Sequence, residues 1–145
     1  MDPIKLLSNQ PPQRFYKGGS QISDFRSQAF CKAYTPEDWI ASTTSCHGHP
    51  SLGQTRLPTN GILLKDEIEN RPLDWLGRDH VKAFGPDTNF LVKLLDAGQR
   101  LRIHAHPHAE WARINVGAKH GNPRHGICVF LLTRHAQNPY HGRSC

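Results

Sequence analysis

Hydrophobic and polar positions along this chain fall into short patterned runs set apart by turn-forming residues. Residues 1–20 read as an extended lead-in, because Pro3, Pro11, Pro12, Gly18 and Gly19 exclude a long helix. Ile22, Phe25 and Phe30 are the first apolar positions suited to a core. Thr35-Pro36-Glu37 has the form of a short helix start, with Thr35 as cap and Pro36 at the first helical position. The alternative at that point is entry into a strand through Trp39 and Ile40. Residues 41–61 are rich in Ser, Thr, Gly and Pro and read as loop.

The next stretch is helical in character. Residues 62–69 suit a short helix, 73–77 a helical turn closed by a glycine, and 79–84 another helix stopped at Gly85-Pro86. Two apolar strands are predicted after them, over 90–95 and 101–106, with turn chemistry at Asp96-Ala97-Gly98-Gln99. They are expected to form a hairpin. Beyond Pro107, residues 108–115 suit a helix ended by Gly117. No repeat recurs at a fixed period.

Composition favours one domain of ordinary size, 145 residues long. Hydrophobic residues make up 37%, and 11 prolines and 12 glycines point to a β-rich or loop-rich chain rather than a helical bundle. The formal charge of +6 raises nucleic acid as a partner. Its distribution argues against that, because the acid-free segment 121–145 supplies half of the excess and the basic residues elsewhere are scattered singly. Cys31, Cys46, Cys128 and Cys145 are widely spaced, which excludes a thiolate zinc site of CxxC type. The N-terminus lacks the apolar core of a signal peptide, and no apolar run has bilayer length. Free thiols in a reducing cytoplasm are the expectation, with no membrane partner.

The candidate chemistry lies at His104 and His106. On a strand, side chains alternate between faces, so Arg102, His104 and His106 share one face, while Leu101, Ile103 and Ala105 share the other. Two imidazoles spaced i and i+2 can converge on one ion, and a site without thiolates suits Zn, Fe, Mn or Ni. Spacing by itself is a weak signal, since His47-Gly48-His49 and His106-Pro107-His108 show it too. Context strengthens it. Gly98, five residues and then His-x-His reproduce the opening of the first cupin motif, and Glu110 follows His106 after three further residues.

The stretch Asn89-Phe90-Leu91-Val92-Lys93-Leu94-Leu95-Asp96-Ala97-Gly98-Gln99-Arg100-Leu101-Arg102-Ile103-His104-Ala105-His106-Pro107 resembles the metal-site hairpin of class I mannose-6-phosphate isomerases. It is similar to a short subgroup carrying His-x-His-Pro in place of Gln-x-His-Pro. Two upstream segments agree, residues 9–19 (NQPPQRFYKGG) and 36–44 (PEDWIASTT). The resemblance spans roughly residues 5–121. It implies a fold that is mainly β with short helices, a partial cupin (jelly-roll) barrel. It also implies a Zn2+-dependent aldose–ketose isomerisation of mannose 6-phosphate and fructose 6-phosphate, with His104 and His106 as ligands. Arg102 becomes a candidate contact to the sugar phosphate, its plainer reading being a surface arginine. Glu110 is a second-choice ligand: generic cupin spacing favours it, whereas the closer resemblance puts it on a short helix pointing away.

The resemblance breaks near Gly121. A glutamate ligand is expected soon after, in a motif ending Glu-Ala-Trp, but the chain reads Asn122-Pro123-Arg124-His125-Gly126-Ile127-Cys128. In codons, Pro-Arg-His-Gly can be written CCG AGG CAT GGN, which reads Glu-Ala-Trp in a neighbouring frame. Residues 1–121 are therefore read as the N-terminal part of an isomerase domain and 122–145 as an aberrant tail, with Val129-Phe130-Leu131-Leu132 as a short strand candidate. Weak turnover or none is expected of such a chain, and its catalytic residues are left unassigned. The rival readings are an Fe(II) cupin oxygenase using His104, His106 and Glu110, and a non-enzymatic metal- or sugar-phosphate-binding fragment. A basic nucleic-acid module ranks last.

Overall fold

The computed structural model describes residues 3–29, 32–46, 48–101 and 109–116. In chain order the elements are α1 (Gln21–Phe25), β1 (Glu37–Ile40), α2 (Leu64–Asn70), α3 (Pro72–Leu76), α4 (Arg78–Phe84), β2 (Val92–Leu95) and α5 (Ala109–Val116).

β1 and β2 pair antiparallel, with Glu37 opposite Leu95, Asp38 opposite Leu94, Trp39 opposite Lys93 and Ile40 opposite Val92. The Asp96 N–H donates to the Pro36 carbonyl at 2.9 Å and carries the pairing one step further. The Trp39 N–H turns the other way, to the Asn9 carbonyl at 2.9 Å. Hydrogen bonds in an antiparallel pair alternate in direction, so the lead-in segment takes the groups of β1 that face away from β2. Asn9 fastens that edge twice more, donating from Nδ2 to the Trp39 carbonyl at 3.1 Å and to the Gly53 carbonyl at 2.7 Å.

The helices follow from their punctuation. α2 begins after an extended Leu63 and carries Asp66 and Glu67 in its first turn, where the helix dipole favours acids. Leu64 and Ile68, four residues apart, lie on one face and are both buried. Pro72 stands at the start of α3, where its missing N–H costs nothing. Gly77 and Gly85 end α3 and α4 with φ of 75° and 74°. Arg71 staples the α2–α3 junction through Glu67 at 3.3 Å and Asp74 at 2.8 Å, an exposed pair of contacts worth little in stability. Leu57, Leu64 and Ile68 form an apolar cluster, with Leu6, Ala41, Trp75 and Leu76 packed against it. Each such side chain contributes about 1.5–3 kcal/mol on burial.

The expectation of a mainly β partial cupin barrel is overturned. The described residues hold one two-stranded sheet and five short helices, and no barrel. Pro72, Gly77 and Gly85, which add to the glycine and proline count behind the β-rich expectation, bound helices. The helix start at Thr35-Pro36-Glu37 is corrected too: Glu37–Ile40 is a strand, because its backbone groups are taken by Asn9 on one side and by β2 on the other.

One partner of β2 is not announced by the sequence pattern. It is β1, while the turn residues after it dock on the lead-in, with Gly18 bridged to Ala97 and the Gly98 N–H donating to the Lys17 carbonyl at 2.9 Å. Gly98 is there for close approach, since a Cβ would overlap the Gly18 carbonyl. Of the expected second strand, only Leu101 is among the described residues. Ile22 is buried at 5% exposure, but Phe25 is 69% exposed and is not a core residue; Phe30 lies outside the described residues. The helices predicted over 62–69, 73–77, 79–84 and 108–115 are present with boundaries shifted by a residue or two. The tail 122–145, with its strand candidate at 129–132, lies outside the described residues. Among the described residues, no helix is long and apolar enough to cross a membrane.

Candidate functional site

Strand alternation splits β1 into two polar faces. Glu37 and Trp39 point one way with Lys93, and Asp38 points the other. The Asp38 face is a clamp. Its carboxylate is fully buried, takes the Arg26 Nε–H at 2.7 Å and the Asn9 N–H at 2.8 Å, and has Ser8 Oγ at 3.4 Å. This joins α1, the lead-in and β1 and leaves the carboxylate no room for a ligand.

The Glu37 face is denser in charge. Glu37 is 4% exposed. Tyr16 Oη donates to its Oε1 at 2.9 Å, Trp39 Nε1 to Oε2 at 2.7 Å and Lys93 Nζ to Oε2 at 3.3 Å. Arg14 Nε stands 3.4 Å from Oε1. Lys93 Nζ also lies over the Trp39 ring, 4.3 Å from its centroid, and the Arg14 guanidinium carbon is 5.9 Å from the same ring.

Burial alone pushes the Glu37 carboxyl up. The Trp39 hydrogen bond, then Lys93, Arg14 and the Tyr16 phenol, outweigh that and hold it below the usual carboxylate range. Glu37 is thus an ionised counter-charge rather than a proton donor. Burial, followed by the adjacent Glu37 charge, pushes the Tyr16 phenol well above its ordinary value. The buried Cys46 thiol beside them is likewise raised by desolvation, so it stays neutral.

This cluster escaped sequence reasoning. Arg14, Tyr16, Glu37 and Lys93 lie in the three segments that carry the family resemblance, but none bore a recognisable ligand spacing. The signal was the family resemblance of those segments themselves. The structure brings them into contact: residues 9–19 meet 36–44 through Asn9–Trp39 and Tyr16–Glu37, and both meet 89–98 through Gly19–Asp96 and Lys93–Glu37.

The sites predicted from sequence stand elsewhere. Arg102, His104 and His106 lie outside the described residues, and so does His47. Glu110 is exposed in the first turn of α5. His49 is exposed, bridged to Cys46 through its backbone. No group of three or more His, Cys, Asp or Glu suited to a metal ion occurs among the described residues.

Comparison with known proteins gives a partial match. The chain is 31% identical over 119 residues to a protein named probable mannose-6-phosphate isomerase GmuF, from Bacillus subtilis (strain 168). The match covers 79% of this chain and 33% of that relative, so the chain spans about a third of the relative's length. No family model matches the chain. No solved structure matches it.

Proposed function

We propose that this chain is part of a sugar-phosphate aldose–ketose isomerase that interconverts mannose 6-phosphate and fructose 6-phosphate. The observation that carries the reading is the 31% identity over 119 residues to the probable mannose-6-phosphate isomerase of Bacillus subtilis. The meeting of the three resemblance segments around Glu37 supports it, because the parts of the chain that resemble the family form one packing unit.

In this reading His104 and His106 hold a divalent ion, Zn2+ being the first choice, with Glu110 as the reserve ligand and Arg102 a contact to the sugar phosphate. The described residues by themselves do not make a metal site. Once bound, it would supply Lewis-acid stabilisation of negative charge on the sugar oxygens. The chain's own described groups contribute fixed charge: Glu37 and Trp39 anchor the Lys93 ammonium on one face of the sheet. The isomerisation itself is a proton transfer between C1 and C2 of the sugar.

Calorimetric titration of the Zn2+-supplemented chain with mannose 6-phosphate and fructose 6-phosphate tests the reading. Both are expected to bind in competition, and failure of both to bind would discard it. A coupled assay of fructose 6-phosphate formation is expected to give low, EDTA-sensitive turnover. Replacing His104 and His106 with Ala should remove bound metal, and unchanged metal content would discard that ligand assignment.

A further inference from the structure

Arg14 is a partly exposed cation with an unmet donor. Its Nε is buried and has no hydrogen-bond partner, although Glu37 Oε1 lies 3.4 Å away. That contact is an ion pair without hydrogen-bond geometry. The Glu37 oxygens already accept from Tyr16 at 2.9 Å and Trp39 at 2.7 Å, with Lys93 at 3.3 Å. What remains to the guanidinium, among the described residues, is a weak bond from Nη1 to Cys46 Sγ at 3.9 Å. Arg26 shows the contrast, with its Nε donating to Asp38 at 2.7 Å and its Nη1 to the Leu6 carbonyl at 3.5 Å.

A guanidinium is a planar fork of five donors suited to two oxygens of one anion. Buried polar groups without partners are rare enough to require an explanation. The local charge supplies one. Two cations, Arg14 and Lys93, contact a single ionised carboxylate, while the phenol of Tyr16 and the thiol of Cys46 stay neutral. Among the groups that contact Glu37 there is thus one more cation than anion, while the buried Asp96 carboxylate acts on Tyr16 from nearby. The cluster is also reachable, since the side chains of Arg14 and Lys93 are 25% and 29% exposed.

We propose that Arg14, with Lys93 as the second cation, is a receptor for a phosphate-class oxyanion: the guanidinium fork takes two phosphate oxygens and Glu37 serves as the fixed counter-charge that holds both cations in place. This deepens the sugar-phosphate reading and rests on it only for the group to which the phosphate is esterified.

Inorganic phosphate is the probe, titrated into the full chain by calorimetry at constant ionic strength set with chloride, so that general screening is held fixed. Phosphate is expected to bind, and Arg14→Gln is expected to weaken it at least about tenfold, the loss of roughly one charge-assisted hydrogen bond. Arg14→Lys keeps the positive charge beside Trp39 but not the fork. It is expected to fold as the parent chain does and to bind several-fold more weakly. Arg78→Gln, at the exposed start of α4, removes the same charge and is expected to change nothing. No phosphate binding above the chloride background would overturn the proposal, and so would parent-like affinity in Arg14→Lys or a loss in Arg78→Gln equal to that in Arg14→Gln. Binding of inorganic phosphate without binding of either hexose phosphate would sustain this site and discard the isomerase reading.

Discussion

Replacing Asp38 with Ala probes the clamp that holds the lead-in and α1 onto β1. The carboxylate is fully buried, and its two short partners differ in what they lose. Removing one partner of a buried ion pair costs about 3–5 kcal/mol when the other is stranded. Arg26 is not fully stranded, because its side chain is 21% exposed and can be rehydrated in part. That brings its share below this range, to about 1–2 kcal/mol. The Asn9 N–H, at 2.8 Å, loses a charged acceptor. That bond is worth about 1.5–3 kcal/mol. Together these give a loss of about 2.5–5 kcal/mol for Asp38→Ala. Asp38→Asn keeps an acceptor for Asn9 and should cost about half as much. Urea unfolding reads both, and the larger loss should move the midpoint down by about 1 M or more at an ordinary slope. A double cycle with Arg26→Ala should return a coupling of at least about 1 kcal/mol. A loss under about 1 kcal/mol for Asp38→Ala, or no coupling, would show that the clamp is a passive surface contact.

Two further outcomes follow from the Glu37 face. Glu37 has its folded-state pKa below the ordinary value, so its contribution to stability is present above that value and is lost as pH falls through the lower, folded-state one. Unfolding measured from about pH 6 down to about pH 3 should therefore show a steeper acid loss in the parent than in Glu37→Gln, and parallel profiles would contradict the assignment. Gly53→Ala would put a Cβ 2.7 Å from Trp39 Cζ3 at a residue whose φ is +91°. Strain plus overpacking should cost about 2–4 kcal/mol, with a change in the near-ultraviolet signal of tryptophan. Gly48→Ala, at φ +76° with open space around the added Cβ, should cost only about 1 kcal/mol, and equal costs at the two glycines would rule out the contact with Trp39.

The sequence alone determined the local helices. Pro72, Gly77 and Gly85 act through the chain's own dihedral limits, and Leu64 with Ile68 sets an apolar face at helical spacing, so nothing distant is needed to read α2, α3 and α4. It also marked the three segments that pack together around Glu37. Tertiary structure decided everything that depends on partners. Glu37–Ile40 is a strand because Asn9 and β2 supply its hydrogen bonds from opposite sides, and residues 34–40 by themselves fit a helix start as well. Gly98 was legible as a special backbone position, but the reason, the Gly18 carbonyl beside it, comes from the far end of the chain. The charge cluster was hidden for the same cause. Arg14, Tyr16, Glu37 and Lys93 are ordinary residues in sequence, and a carboxylate's protonation, like an arginine's unmet donors, is fixed only once folding has settled which groups stand beside it and which have lost their water.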